Sequence, residues 1–135
     1  MNVKIDTKEK FHAITVSEPT LSATMTDELA DCLLPYLQND ASLTNKQVRN
    51  VVLILKDTIS MDITFAEKLV YIQQKFYESS ASFVICEVLQ PIEEFLDENE
   101  LLEMMNVTPT QSEAWDIVQM EEIEREMLDE EPPLS

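Results

Sequence analysis

The chain has 135 residues, of which 44% are apolar, and these values suit one domain with one hydrophobic core. Its formal net charge is −18, and its few basic residues form no patch, which excludes a nucleic-acid surface and disfavours an anionic membrane. No apolar run approaches the roughly 20 residues of a membrane helix, and no secretory signal pattern opens the chain. The sequence therefore predicts a soluble, cytoplasmic protein.

The first third of the sequence predicts a hairpin and a short helix. Val3–Thr7 and residues 11–16 have strand composition and are separated by a polar turn. A helix is predicted from Thr26, whose hydroxyl would cap it, and Pro35 should kink or shorten that helix. The polar residues 39–46 should form a loop.

The middle of the chain alternates apolar strands with helices. Residues 51–55 and 83–86 show little alternation of apolar and polar residues, as is typical of strands buried on both faces. Asp62 is placed to cap a long helix with an apolar stripe, and Pro91 opens a shorter one. Val107 and Thr108 could form a last short strand.

A final helix is predicted from residue 112, with Ser112 at its cap and Glu121 and Arg125 paired one turn apart. Its inner side should carry Ile117, Met120, Ile123 and Met127. The order of elements predicts an α/β fold in which a mixed, mostly parallel sheet is flanked by about four helices. Residues 1–128 should form this single domain, and residues 129–135 an acidic, proline-containing, disordered tail.

Catalytic and metal chemistry find little support in the sequence. His12 is the one histidine, so only Cys32 or Cys86 could pair with it, and both cysteines lie in apolar surroundings. Carboxylate pairs are so numerous that a solvated face explains them. The absence of glycine excludes a glycine-rich phosphate loop. We therefore expect no enzymatic activity, no metal and no cofactor.

The segment from Thr58 to Thr64 is the best local candidate for a functional site. It joins a buried strand to a helix, at the edge of the sheet where α/β proteins place their working residues. A plain strand–loop–helix turn capped by Asp62 is the alternative interpretation.

Several segments taken together resemble the STAS domain family, to which bacterial anti-sigma factor antagonists belong. The resemblance covers roughly residues 3–128 and is carried by residues 51–55, 61–62, 83–86, 91, 95–96, 106–109 and 113–114. It implies a four- or five-stranded sheet with flanking helices and no catalytic activity. Family members act by partner switching: they bind an anti-sigma factor, often an ATP-dependent serine kinase, until a serine is phosphorylated.

The resemblance implies a protein-binding surface at Ser60, Asp62, Ile63, Thr64 and Phe65. Two residues depart from the family pattern, because Ile63 stands at the serine position and Phe65 at a glycine position. The usual serine phosphoswitch is therefore not expected, and Thr64, one residue further on, is the alternative phosphoacceptor. The expected partner is a kinase-type anti-sigma factor or a related ATPase.

The acidic end of the chain leaves a second function open. Residues 87–135 contain 16 acidic residues and one basic residue, Arg125. Such a face either provides solubility or attracts a basic partner, as in a scaffold or assembly subunit. A nucleotide or small-ligand binding domain is a third alternative. The oligomeric state stays open, because the edge strand Val3–Thr7 could pair with another chain.

Overall fold

The computed structural model describes residues 1–38 and 48–129, with the side chains of the last helix up to residue 127. The predicted loop at 39–46 lies outside the described residues. So does the predicted tail, except for Asp129, which ends the last helix.

The described residues form seven strands and four α-helices. The strands are β1 (Val3–Thr7), β2 (His12–Val16), β3 (Thr20–Leu21), β4 (Val51–Ile54), β5 (Ser60–Met61), β6 (Phe83–Cys86) and β7 (Val107–Thr108). The helices are α1 (Thr26–Leu33), α2 (Ile63–Glu78), α3 (Gln90–Glu98) and α4 (Gln111–Asp129). Short 3₁₀ turns lie at Ala23–Met25, Leu34–Leu37 and Leu102–Met104.

Five of the strands form one mixed sheet in the order β1-β2-β4-β6-β7. β1 pairs antiparallel with β2 through the predicted hairpin, and the other neighbours are parallel. This confirms the predicted α/β class and the mixed, mostly parallel sheet. β3 and β5 form a separate two-residue parallel ladder, which the sequence did not predict.

The helices cover the two faces of the sheet unequally. On one face, the predicted stripe of α2 is fully buried in the larger core, where α1 and α3 also contribute. On the other face, Ala114 and Val118 of α4 pack against residues of β2, β4 and β6. The α2 stripe consists of Phe65, Leu69, Ile72 and Phe76.

Two predicted helix caps are wrong. A 3₁₀ turn precedes α1, so the Thr26 hydroxyl donates backwards to the Ala23 carbonyl at 3.0 Å and does not cap the helix. At α4, Thr110 supplies the oxygen that accepts from the Glu113 amide at 3.1 Å, in place of Ser112. The effect of Pro35 is confirmed, because α1 ends at Leu33 and the chain continues as a 3₁₀ turn.

The predicted inner side of α4 is also wrong for three of its four residues, since only Ile117 packs against the core. Met120, Ile123 and Met127 are 59%, 55% and 69% exposed, and Ile117 is only partly buried. The expected pair of Glu121 and Arg125 is replaced by contacts to the body of the domain. The reason is that the second half of α4 passes over the amino ends of β4 and β6, where polar groups need partners.

Candidate functional site

The segment that follows β4 is held in place by backbone and side-chain hydrogen bonds. Thr58 is buried, and its hydroxyl donates to the Glu18 carbonyl at 2.7 Å. The amides of Ile59 and Ser60 both donate to the Pro19 carbonyl, at 2.8 and 3.1 Å. The short β3–β5 ladder continues this attachment, so the chain reaches α2 with its backbone fixed.

Asp62 caps α2, as predicted. Its backbone is extended, and its carboxylate accepts from the Thr64 amide at 2.8 Å. Its own amide donates to the Leu21 carbonyl at 2.8 Å, which ties the cap to β3. The cap satisfies one of the amides that a helix start leaves without an intrahelical partner.

The structure brings four of the five predicted contact residues to the surface. Ser60, Asp62, Ile63 and Thr64 are exposed at the start of α2. The expectation that Phe65 contacts a partner is corrected, since its ring is fully buried in the core and cannot reach a partner. Phe65 is the first member of the apolar stripe of α2, and this explains its burial. Its place at the glycine position of the STAS pattern does not make it a contact residue.

Ile59 lies within the candidate segment from Thr58 to Thr64 but was not among the five predicted contact residues. It is 59% exposed, and Ile63, the first residue of α2, is 38% exposed. A sequence signal for Ile59 existed, because it belongs to no strand or helical stripe in a chain where most large apolar residues do. We call residues 59–64 the α2 entry segment.

The hydroxyl groups of the α2 entry segment differ from that of Thr58 just before it. The Thr58 hydroxyl is buried and engaged, and it is out of reach of a modifying enzyme. Ser60 is exposed and donates to the Thr20 hydroxyl at 2.9 Å. Thr64 is exposed on the first turn of α2, next to the Asp62 carboxylate.

The side chains considered for catalysis have structural surroundings. His12 has one ring nitrogen 2.9 Å from the Thr7 hydroxyl and the other 2.9 Å from the Val48 carbonyl, and its ring stacks on Tyr36. Burial raises the pKa of the Cys86 thiol to about 12 and also raises the pKa of Cys32, so both favour the unreactive neutral form.

Two features of the described residues bear on other functions. Within residues 1–38 and 48–129, no three His, Cys, Asp or Glu side chains are grouped so that they could hold a metal ion. None of the helices in these ranges has the length and apolar character needed to cross a membrane.

No family model and no curated protein matches the sequence. The fold, however, is similar to solved structures. An anti-sigma-factor antagonist (STAS) domain protein from Planctomyces limnophilus shares 19% identity at a TM-score of 0.69, covering 87% of this chain and 97% of that one. An anti-sigma factor antagonist from Mycobacterium paratuberculosis shares 12% identity at a TM-score of 0.69, covering 87% and 93%.

A third similar structure is the murine Slc26a9 anion transporter, with 11% identity and a TM-score of 0.64. The similarity covers 82% of this chain but 18% of the transporter, so the fold occurs there as one part of a larger protein. In all three cases the similarity is one of fold. The chain therefore has a fold similar to that of STAS domains.

Proposed function

We propose that this chain is a non-enzymatic regulator that binds a protein partner in the manner of an anti-sigma factor antagonist. The α2 entry segment is the contact surface. The observation that carries the proposal is the exposure of Ile59 and Ile63 on either side of Asp62, on a backbone fixed by hydrogen bonds. Exposed apolar side chains on a rigid support at the carboxyl edge of a sheet are typical of a binding site.

The partner would be a kinase-type anti-sigma factor or a related ATPase. Support comes from the fold, which this chain shares with two proteins described as anti-sigma factor antagonists. The contact would combine the two isoleucines with the Asp62 carboxylate and the Ser60 and Thr64 hydroxyls. Apolar anchors surrounded by polar groups are the usual anatomy of an interface.

The complex would form without the serine phosphoswitch of the STAS family. Ile63 stands at the position that resembles the family's serine, and its side chain has no group that accepts phosphate. Thr64 is the alternative phosphoacceptor. A phosphate there would add a charge of about −1.5 to −2. This charge would lie beside the Asp62 carboxylate, which accepts from the Thr64 amide at 2.8 Å, and would make the contact surface more acidic.

The test is a binding measurement on a purified partner, identified by affinity capture from the native cell lysate and mass spectrometry. The double variant Ile59→Ser/Ile63→Ser should raise the dissociation constant at least about tenfold, because each substitution removes apolar surface that the complex buries. Ile5→Ser is the matched control, because Ile5 is 47% exposed, a value between those of the two isoleucines, but lies on the edge strand β1.

Two results would contradict the proposal. One is an unchanged affinity of the double variant, which would place the contact elsewhere. The other is an equal loss in the Ile5→Ser control, which would mean that exposed isoleucines act without a specific site. Urea unfolding of every variant confirms that the comparison is made between folded proteins.

A further inference from the structure

The outward face of α4 carries an apolar stripe. Met120, Ile123 and Met127 are all more than half exposed, and their spacing of three and four residues places them on one side of the helix. Ala114 and Val118 lie on the opposite side, against the sheet. We call the three residues the α4 outer stripe.

Hydrogen bonds to the domain fix the orientation of α4 and keep this stripe outward. Glu121 accepts from the Tyr77 hydroxyl at 2.8 Å, and Glu122 accepts from the Asn50 amide group at 2.7 Å. Arg125 donates to the Ser82 hydroxyl at 3.0 Å. Rotating the helix to bury the stripe would break all three bonds and leave buried polar groups without partners. The exposure is therefore a property of the fold.

Carboxylates flank the α4 outer stripe. Asp116, Glu124 and Glu126 are exposed on the same helix, and Lys10, the neighbouring base, already contacts Glu122 at 3.4 Å. A molecule that covers the stripe must bring apolar side chains and positive charge together. A second copy would place the same carboxylates against each other, and an anionic membrane surface would be repelled.

We propose that the outer face of α4 docks a basic amphipathic helix of another protein. The stripe extends over about 10 Å of helix, at 1.5 Å per residue, which matches two turns of a facing helix. Two of its three residues are methionines, whose flexible side chains adapt to different apolar surfaces. Recognition of an amphipathic helix through anchors at such spacing is a known binding mode. This surface is separate from the α2 entry segment, so the two proposals are independent and one can be wrong while the other is right.

The test uses the full chain and a synthetic 18-residue peptide of leucine and lysine arranged as an amphipathic helix. A scrambled peptide of the same composition keeps the charge and loses the apolar face. We expect the patterned peptide to bind at least about tenfold more tightly than the scrambled one in fluorescence anisotropy, because only the patterned peptide covers the stripe. Equal affinities would overturn the proposal, because charge alone would then explain the binding of both peptides.

Methionine methyl signals locate the bound peptide. In a chain labelled with ¹³C-methyl methionine, the signals of Met120 and Met127 should shift on titration with the patterned peptide. Met104 is an internal control, since it is 52% exposed outside the stripe. Equal shifts at all three methionines, or shifts at Met104 alone, would overturn the proposed location.

Variants complete the test. Met120→Ser/Ile123→Ser/Met127→Ser should weaken binding of the patterned peptide at least about tenfold, whereas Met104→Ser should change it less than about twofold. Similar losses in both would contradict the proposal. A dimer in sedimentation, or binding to zwitterionic vesicles, that the triple variant abolishes would also overturn it, because the occupant would then be a second copy or a membrane.

Discussion

Residues at the start of α2 are neighbours in the sequence, yet they have separate physical roles. Asp62 stabilises the helix by accepting a hydrogen bond at its surface, and Phe65 stabilises the domain by burial. Ile63 lies between them and is exposed at a place where an apolar side chain contributes little to the fold. Substitutions here can therefore separate folding from binding.

Replacing Asp62 with alanine should lower the free energy of unfolding by about 0.5–2 kcal/mol, because the Thr64 amide loses its acceptor. Asp62→Asn keeps an acceptor at the same position and should cost only part of this. Urea unfolding followed by circular dichroism measures both. Equal losses in the two variants would mean that the charge, and not the cap, is what matters.

Phe65→Ala should lower the free energy of unfolding by about 3–5 kcal/mol, since it empties a fully buried position. Phe65→Leu keeps most of the volume and should be considerably milder. The same urea experiment applies. A stable Phe65→Ala variant that had lost only partner binding would return Phe65 to the contact surface, against its burial in the structure.

At the scale of elements, the helices differ in how far the sequence predicts them. The stripe of α2 could be predicted because its large apolar residues share one side and Asp62 marks the start. In α4 the large residues Met120 and Ile123 point outward, while the small Ala114 faces the sheet. Hydrophobic periodicity alone selects the larger side chains, so it predicts the wrong face.

What decides the orientation of α4 lies far away in the sequence. Asn50 and Ser82 are buried at the amino ends of β4 and β6 and need polar partners from α4. No local pattern in residues 111–129 reveals this requirement. The sequence places Ile59 in the candidate segment, but its fixed position could not be predicted, because its anchor, the Pro19 carbonyl, comes from a different part of the chain. The sheet order, by contrast, follows from apolar strands and short connections.

One substitution at the amino end of β4 and one on α4 test this orientation. Asn50→Ala should cost about 1–3 kcal/mol, because the buried Ser82 amide and the Glu122 carboxylate lose their partner at once. Met120→Ala should change stability by less than about 0.5 kcal/mol, as is usual for an exposed position. Thermal and urea unfolding give both values. The reverse ranking would show that the methionine side of α4 faces the core.

At the scale of the whole molecule, the two faces of the sheet are closed by different means. The α1–α3 face is closed by large apolar side chains, whereas the α4 face combines a small apolar cluster with hydrogen-bonded polar groups. The acidic residues are concentrated in the last third, which includes α4. The α2 entry segment and the α4 outer stripe thus present different chemistry to solvent.

The buried thiol beneath α4 predicts how the stability of the whole domain depends on alkaline pH. Cys86 is fully buried in β6, and this burial raises its pKa to about 12, whereas an unfolded thiol ionises near 9. The native state therefore keeps a proton that the unfolded state loses. Stability from this group is fully present below about pH 9 and should decrease as the pH rises towards 12, by up to about 1.4 kcal/mol per pH unit.

Urea unfolding at several pH values from 8 to 11 measures this decrease. Cys86→Ala removes the thiol, so its curve should fall less steeply than that of the native chain over the same interval. Tyr77 also has a raised pKa, mainly from burial and then from its bond to Glu121, and will give both proteins a common decrease at higher pH. Parallel curves for the two proteins would mean that the Cys86 thiol ionises as readily in the folded domain as in the unfolded chain. Its burial between β6 and α4 would then be incomplete in solution.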